Sequence, residues 1–143
     1  MKFWDTSAII PLCIEEQHTR LAREIAQKDG AIVVWWGTIV ECYSAIARMR
    51  RDGGLTTTEE SEVLTVFSEL AKVWTEIEPG DDIRDITRRL LGNYSLHAAD
   101  SLQLAAAVAW ADKMPKGHHV VCLDERLREA AIKEGFTVLP ARL

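Results

Sequence analysis

No apolar stretch in this 143-residue chain approaches the roughly 20 residues needed to cross a bilayer, so a membrane-spanning helix is not expected. Cysteine is scarce: Cys13, Cys42 and Cys122 are odd in number, far apart and form no C-x-x-C pair. That excludes a disulfide framework, and no cysteine lies at zinc-knuckle spacing from His118 and His119. Three buried, reduced thiols are the expectation. The 4 prolines and 8 glycines never cluster into a linker, repeat or low-complexity tract, so one domain over residues 1–143 is expected. The opening M-K-F-W-D-T-S lacks the charged start, long apolar core and small-residue cleavage site of a signal peptide, and a cytoplasmic location follows as an expectation. Positive charge is also short. Seventeen Lys and Arg against 22 Asp and Glu leave a net charge of −5, which rules out bulk electrostatic attraction to phosphate backbones. The basic residues do group locally, at Arg48, Arg50 and Arg51 and at Arg84, Arg88 and Arg89; a solvated helix face explains such groups as well as a phosphate contact does.

What is present is an alternation of short apolar strands with amphipathic helices. Lys2 to Trp4 reads as a strand ending at Asp5, followed by a helix that Pro11 is expected to break or restart. His18 to Lys28 has helical periodicity with Gly30 closing it, and Ala31 to Trp35 is apolar without alternation, as a strand buried on both faces should be. Thr38 to Arg51 is a helix stopped by Gly53 and Gly54. Thr56 to Thr58 cap the next, whose Val63, Val66, Phe67 and Leu70 form the expected buried stripe. Val73 to Ile77 is a short strand, Asp81 to Leu91 a helix ended by Gly92, and Ser95 to Met114 an alanine-rich central helix. His119 to Leu123 is a strand, Arg126 to Glu134 a helix capped by Gly135, and Thr137 to Leu139 a last strand. This order predicts an α/β domain with a mainly parallel sheet.

Four acids in that pattern stand where a strand ends or a helix begins. Such a sheet gathers its strand carboxyl ends and helix starts along one edge. Four carboxylates at one edge cannot all stay ionised without a counter-charge, and a hard divalent cation, Mg²⁺ or Mn²⁺, is the usual partner of an all-oxygen set. Each acid also has a structural reading. Asp5 fits an N-cap as well as a ligand. Thr38 and Glu41 have the spacing of a capping box, which still leaves the Glu41 carboxylate at the helix mouth. Asp100, among small and apolar residues, is costly to bury unless paired or metal-bound. Asp124 follows V-V-C-L directly and mirrors Asp5 at a second strand end.

The motifs around these acids resemble those of the PIN-domain superfamily, and within it the VapC-type toxin ribonucleases. M-K-F-W-D-T-S-A-I-I resembles the family's first strand and D-T-S signature. T-I-V-E-C-Y-S-A-I-A-R resembles the helix that carries a Glu followed by a basic residue two turns on, here Arg48. L-H-A-A-D-S-L-Q-L-A-A-A resembles the segment of the third acid, with Gln103 where the family often has His. V-V-C-L-D-E-R-L-R-E-A-A-I-K-E-G-F-T-V-L-P resembles the closing strand, fourth acid, helix and last strand. The pair Trp35 and Trp36 before the Glu helix is a departure.

The resemblance implies a three-layer α/β/α sandwich around about five strands. It also implies an Mg²⁺- or Mn²⁺-dependent endoribonuclease, commonly a homodimer, inhibited by a cognate antitoxin. Asp5, Glu41, Asp100 and Asp124 would be the catalytic, metal-holding acids, with Thr6, Ser7 and Arg48 facing the RNA. Three other readings remain. A receiver-like signalling domain needs adjacent acids after the first strand and a Lys at the end of the last, and both are missing here. A PIN-like binding scaffold without catalysis, or a PIN nuclease of RNA processing, would keep the same acids.

Overall fold

The computed structural model describes residues 1–143, and its chain order is strictly one of crossovers with no hairpin. Strand β1 (Lys2–Trp4) leads to helices α1 (Thr6–Cys13) and α2 (Thr19–Asp29), then to β2 (Ile32–Trp35). Helices α3 (Thr38–Arg51) and α4 (Thr57–Ala71) precede β3 (Thr75–Ile77). Helices α5 (Asp81–Asn93) and α6 (Ala98–Trp110) precede β4 (His119–Val121), and α7 (Glu125–Glu134) precedes β5 (Thr137–Leu139). All strand pairs are parallel, in the order β3-β2-β1-β4-β5. The first two crossovers step away from β1 on one side and the third returns to its other side. The direction of winding therefore reverses beside β1, and the strand carboxyl ends part there to form a crevice.

Strand periodicity divides the interior in two. Phe3, Val33, Val120 and Val138 point to one face and pack against α5, α6 and α7; Trp4, Val34 and Val121 point to the other, against α1 to α4. Phe3 and Trp4 are both sealed from solvent, each worth about 2–3 kcal/mol of transfer free energy. The three layers of an α/β/α sandwich follow, with the sheet shared by both cores.

Several expectations from the sequence are corrected. Pro11 does not break α1: it is the sixth of eight residues, its missing N–H removes one rung near the end, and the helix stops two residues later. Helix α5 runs through Gly92 to Asn93, held by Ile83, Ile86 and Leu90, which are buried against the core it shares with α6. Helix α6 begins at Ala98, three residues later than expected, because 95–97 are extended or irregular. In α4 only Val63 and Phe67 are buried, while Val66 is 48% exposed, since residue 66 lies about 100° round the helix from 67. The caps at Thr56, Gly30 and Gly135 are as expected. Thr56 and Glu59 exchange the two bonds of a capping box, and both glycines hold left-handed backbone at φ 68° and 106°. All three cysteines are buried and free, and no helix is long and apolar enough to cross a membrane.

Candidate active site

The crevice beside β1 is where the four acids meet. A cleft of about 440 Å³ is lined by Asp5, Glu41, Asp100 and Asp124, together with Thr6, Ser7, Ser44 and Arg48. Each acid arrives on a different element: the end of β1, the first turns of α3 and α6, and the start of α7. All seven residues singled out in the sequence, from Asp5 to Asp124, thus line one cavity.

Asp5 lies deepest. Its backbone N–H is bonded to Val121 O at 2.9 Å, joining the end of β1 to the end of β4. Its side chain N-caps α1, accepting from Ser7 N at 3.0 Å and from the Ser7 hydroxyl at 2.5 Å. The same hydroxyl accepts from Leu123 N at 2.9 Å, so Ser7 ties the first acid to the segment that carries the fourth. Asp5 is only 5% exposed. Burial pushes its carboxyl up to about 6; the Ser7 bonds oppose that rise, and the charges of Glu41 and Asp100 add to it. Cys122, buried below, has its thiol pushed far up by burial and by the neighbouring Asp5, and remains an inert filler.

Glu41 is not the capping-box acid that its spacing with Thr38 suggested. Gly37 occupies the cap position of α3 and no side chain caps the helix. The Glu41 carboxylate turns into the cleft instead, accepting from the Thr6 hydroxyl and, at 2.7 Å, from the Gln103 amide nitrogen. That amide nitrogen also approaches the hydroxyls of Thr6 and Thr38, at 2.7 and 3.0 Å. Gln103 is 1% exposed. A fixed donor at the back of the cleft therefore aims Glu41, and Thr38 serves that donor rather than its own helix. The roles of Thr38 and Gln103 could not be read locally, because Gln103 and Glu41 are 62 residues apart.

Asp100 is less buried than its apolar neighbourhood implied, with 34% of its side chain exposed. Partial burial raises its pKa, the Asp124 charge adds to this, and His97 and Arg126 offset it. Asp124 N-caps α7, its carboxylate accepting from Leu127 N at 2.8 Å. Arg48 makes no ion pair with Glu41 and projects into the cleft from two turns along α3.

The four carboxylates share the cleft without closing into a cage: no three acidic, histidine or cysteine side chains converge on a single point. As a donor set they are all oxygen and no Lys or Arg pairs with them, which suits a hard divalent ion and no soft one.

The sequence matches the PIN domain family model over residues 2–133. The chain belongs to the PIN domain family. PIN domains are generally nucleases. Among solved structures, this PIN domain is similar to FitAcB from Neisseria gonorrhoeae, with a TM-score of 0.62 over 99% of this chain and 98% of that one. The two share 14% sequence identity, so the likeness speaks for the fold alone. No curated protein matches the sequence.

Proposed function

We propose that this PIN domain is an endoribonuclease dependent on Mg²⁺ or Mn²⁺, the VapC-type toxin of a toxin–antitoxin pair, acting in the cytoplasm as one domain over residues 1–143. The observation that carries the reading is the convergence of Asp5, Glu41, Asp100 and Asp124, from four elements, on one cleft where no Lys or Arg pairs with them and the one ion contact is His97 to Asp100 at 3.9 Å. Asp5 and Asp100 would hold the principal cation, and Asp124 and Glu41 would complete its shell or a second, weaker site. When bound, such a cation supplies an acidified water and neutralises charge that builds on the phosphate.

The chain's own residues supply the rest. Ser7 holds Asp5 in place, and Gln103 and Thr6 hold Glu41, so the carboxylates need little reorganisation. Thr6 and Ser7 line the cleft beside the substrate with their hydroxyl protons given to Glu41 and Asp5, and Arg48 offers an unpaired guanidinium to a phosphate oxygen. Hydrolysis by water leaves a 5′-phosphate and a 3′-hydroxyl. In this reading the chain forms a homodimer, and a cognate antitoxin silences it by covering the acidic cleft. With a net charge of −5, affinity for RNA rests on a few placed cations and on RNA shape.

The test is incubation with total RNA and Mg²⁺ or Mn²⁺, mapping new 5′ ends against Asp100→Asn. Cleavage should fall at least about a hundredfold in the variant, as expected when a metal-holding acid is lost. Full activity in a clean Asp100→Asn preparation would overturn the assignment.

A further inference from the structure

A second depression, of about 380 Å³, is formed by residues that neighbour those of the acidic cleft along the chain. Its walls are the α5–α6 connection, with Asn93, Tyr94, Ser95 and Leu96, and one face of α7, with Arg126 and Lys133. The two cavities are consecutive along the same two segments. Leu96 lies in the groove, and Ala99 and Asp100 lie in the cleft; Arg126 lies in the groove, and Asp124 lies in the cleft.

The groove is built firmly. Arg89 grips Glu134 through two bonds of 2.9 and 2.8 Å, and the Tyr94 hydroxyl donates to the same carboxylate at 2.8 Å. These bonds lock the end of α5 against α7. Within the groove, Lys133 is already neutralised by Glu129 at 2.8 Å. Arg126 has no hydrogen bond and no ion pair. It stands two residues after the cap of α7, where a cation opposes the helix dipole. Its charge reaches Asp100 across the boundary between the cavities.

We propose that this groove is a nucleotide subsite of the nuclease, in which Arg126 binds the phosphate next to the scissile one and Asn93 and Ser95 meet the adjoining nucleotide. The inference rests on the ribonuclease reading above. Arg48 then belongs to the acidic cleft and Arg126 to the groove, and a single strand of RNA runs from one guanidinium to the other past the four acids. The volume falls within the range of small-ligand sites, and the lining is polar, which suits a sugar-phosphate strand better than an apolar peptide face.

The experiment uses the intact chain and a labelled single-stranded RNA spanning a cleavage site mapped with wild type. Arg126→Ala should raise KM on the order of tenfold with kcat unchanged, and lower the salt-dependence slope of binding by about one. Arg126→Lys should recover most of the affinity. The penalty should vanish on RNA trimmed back to the scissile phosphate from one end, 5′ or 3′, and persist on RNA trimmed from the other. A penalty that survives both trimmings, falls on kcat or shifts the pH profile would mean that Arg126 acts through Asp100, and would overturn the subsite. Unchanged KM in Arg126→Ala would also overturn it while leaving the nuclease reading intact. If wild type cleaves no RNA, fluorescence anisotropy of a labelled single-stranded RNA of mixed sequence in EDTA decides: Arg126-dependent binding keeps the subsite without the nuclease, and binding indifferent to Arg126 removes it.

Discussion

Two buried aspartates at opposite edges of the sheet show how the same side chain serves two ends. Asp29, at the amino-end edge, has no exposed side-chain surface, yet it is surrounded by donors. The Met1 amino group lies at 2.9 Å, the Lys2 ammonium at 3.0 Å and the Trp4 indole N–H at 3.1 Å. Burial alone would raise its pKa, but these partners outweigh it and hold the carboxyl below its usual range. Asp5, at the carboxyl-end edge, is buried more deeply and receives only Ser7 and the weak Cys122 thiol at 3.7 Å, while its charged neighbours are acids. The first aspartate is stabilised by the fold. The second is held at the fold's expense, as the proposed role in metal binding would require.

That contrast can be broken by mutation. The largest effect expected is on activity: Asp5→Asn keeps the cap bond to Ser7 but removes the charge, and RNA cleavage should fall by at least about a hundredfold. Thermal stability at pH 7 should hold or rise, because a strained buried charge has gone. A clear drop in Tm would show that Asp5 is structural, as Asp29 is.

Asp29→Ala should do the reverse. Stripping a buried carboxylate from three donors should cost about 2–4 kcal/mol, read by urea denaturation, while activity per folded molecule stays the same. Unchanged stability would remove the distinction.

The third test is pH. Asp5's folded pKa of about 6 lies above its unfolded value. Its contribution is therefore complete below about pH 4 and is lost as pH rises through 6, at a cost on the order of 3 kcal/mol. Asp29's folded pKa is depressed, so its contribution is present above about pH 4 and lost as pH falls further. Denaturation between pH 5 and 7.5 should accordingly show wild type losing stability and Asp5→Asn losing much less. Parallel curves would mean that the carboxyl of Asp5 is not shifted upward.

How far the sequence carried this reading differs between elements for physical reasons. The strands β2 and β4 were legible because a parallel strand buried on both faces is a continuous apolar run, and the glycine caps because left-handed backbone favours glycine. The acids were legible because each abuts such a boundary. Their ranking was not. Asp100 looked the most costly to bury, but the chain enters α6 from an exposed connection, and Asp5 is the one sealed in. Glu41 looked like a cap because Thr38 is three residues before it, whereas its true partners come from other helices, Thr6 from α1 and Gln103 from α6 in the opposite layer. Gln103 was visible only as a departure from a resemblance, and its role needed the packed structure.

The four acids also have a temporal order. The cleft needs both helical layers and the seam between β1 and β4, and its last acid stands at position 124 of 143. A ribosome making this chain has therefore to pass position 124 before the set is complete. Whatever the cleft can cut, the unfinished chain at the ribosome exit cannot.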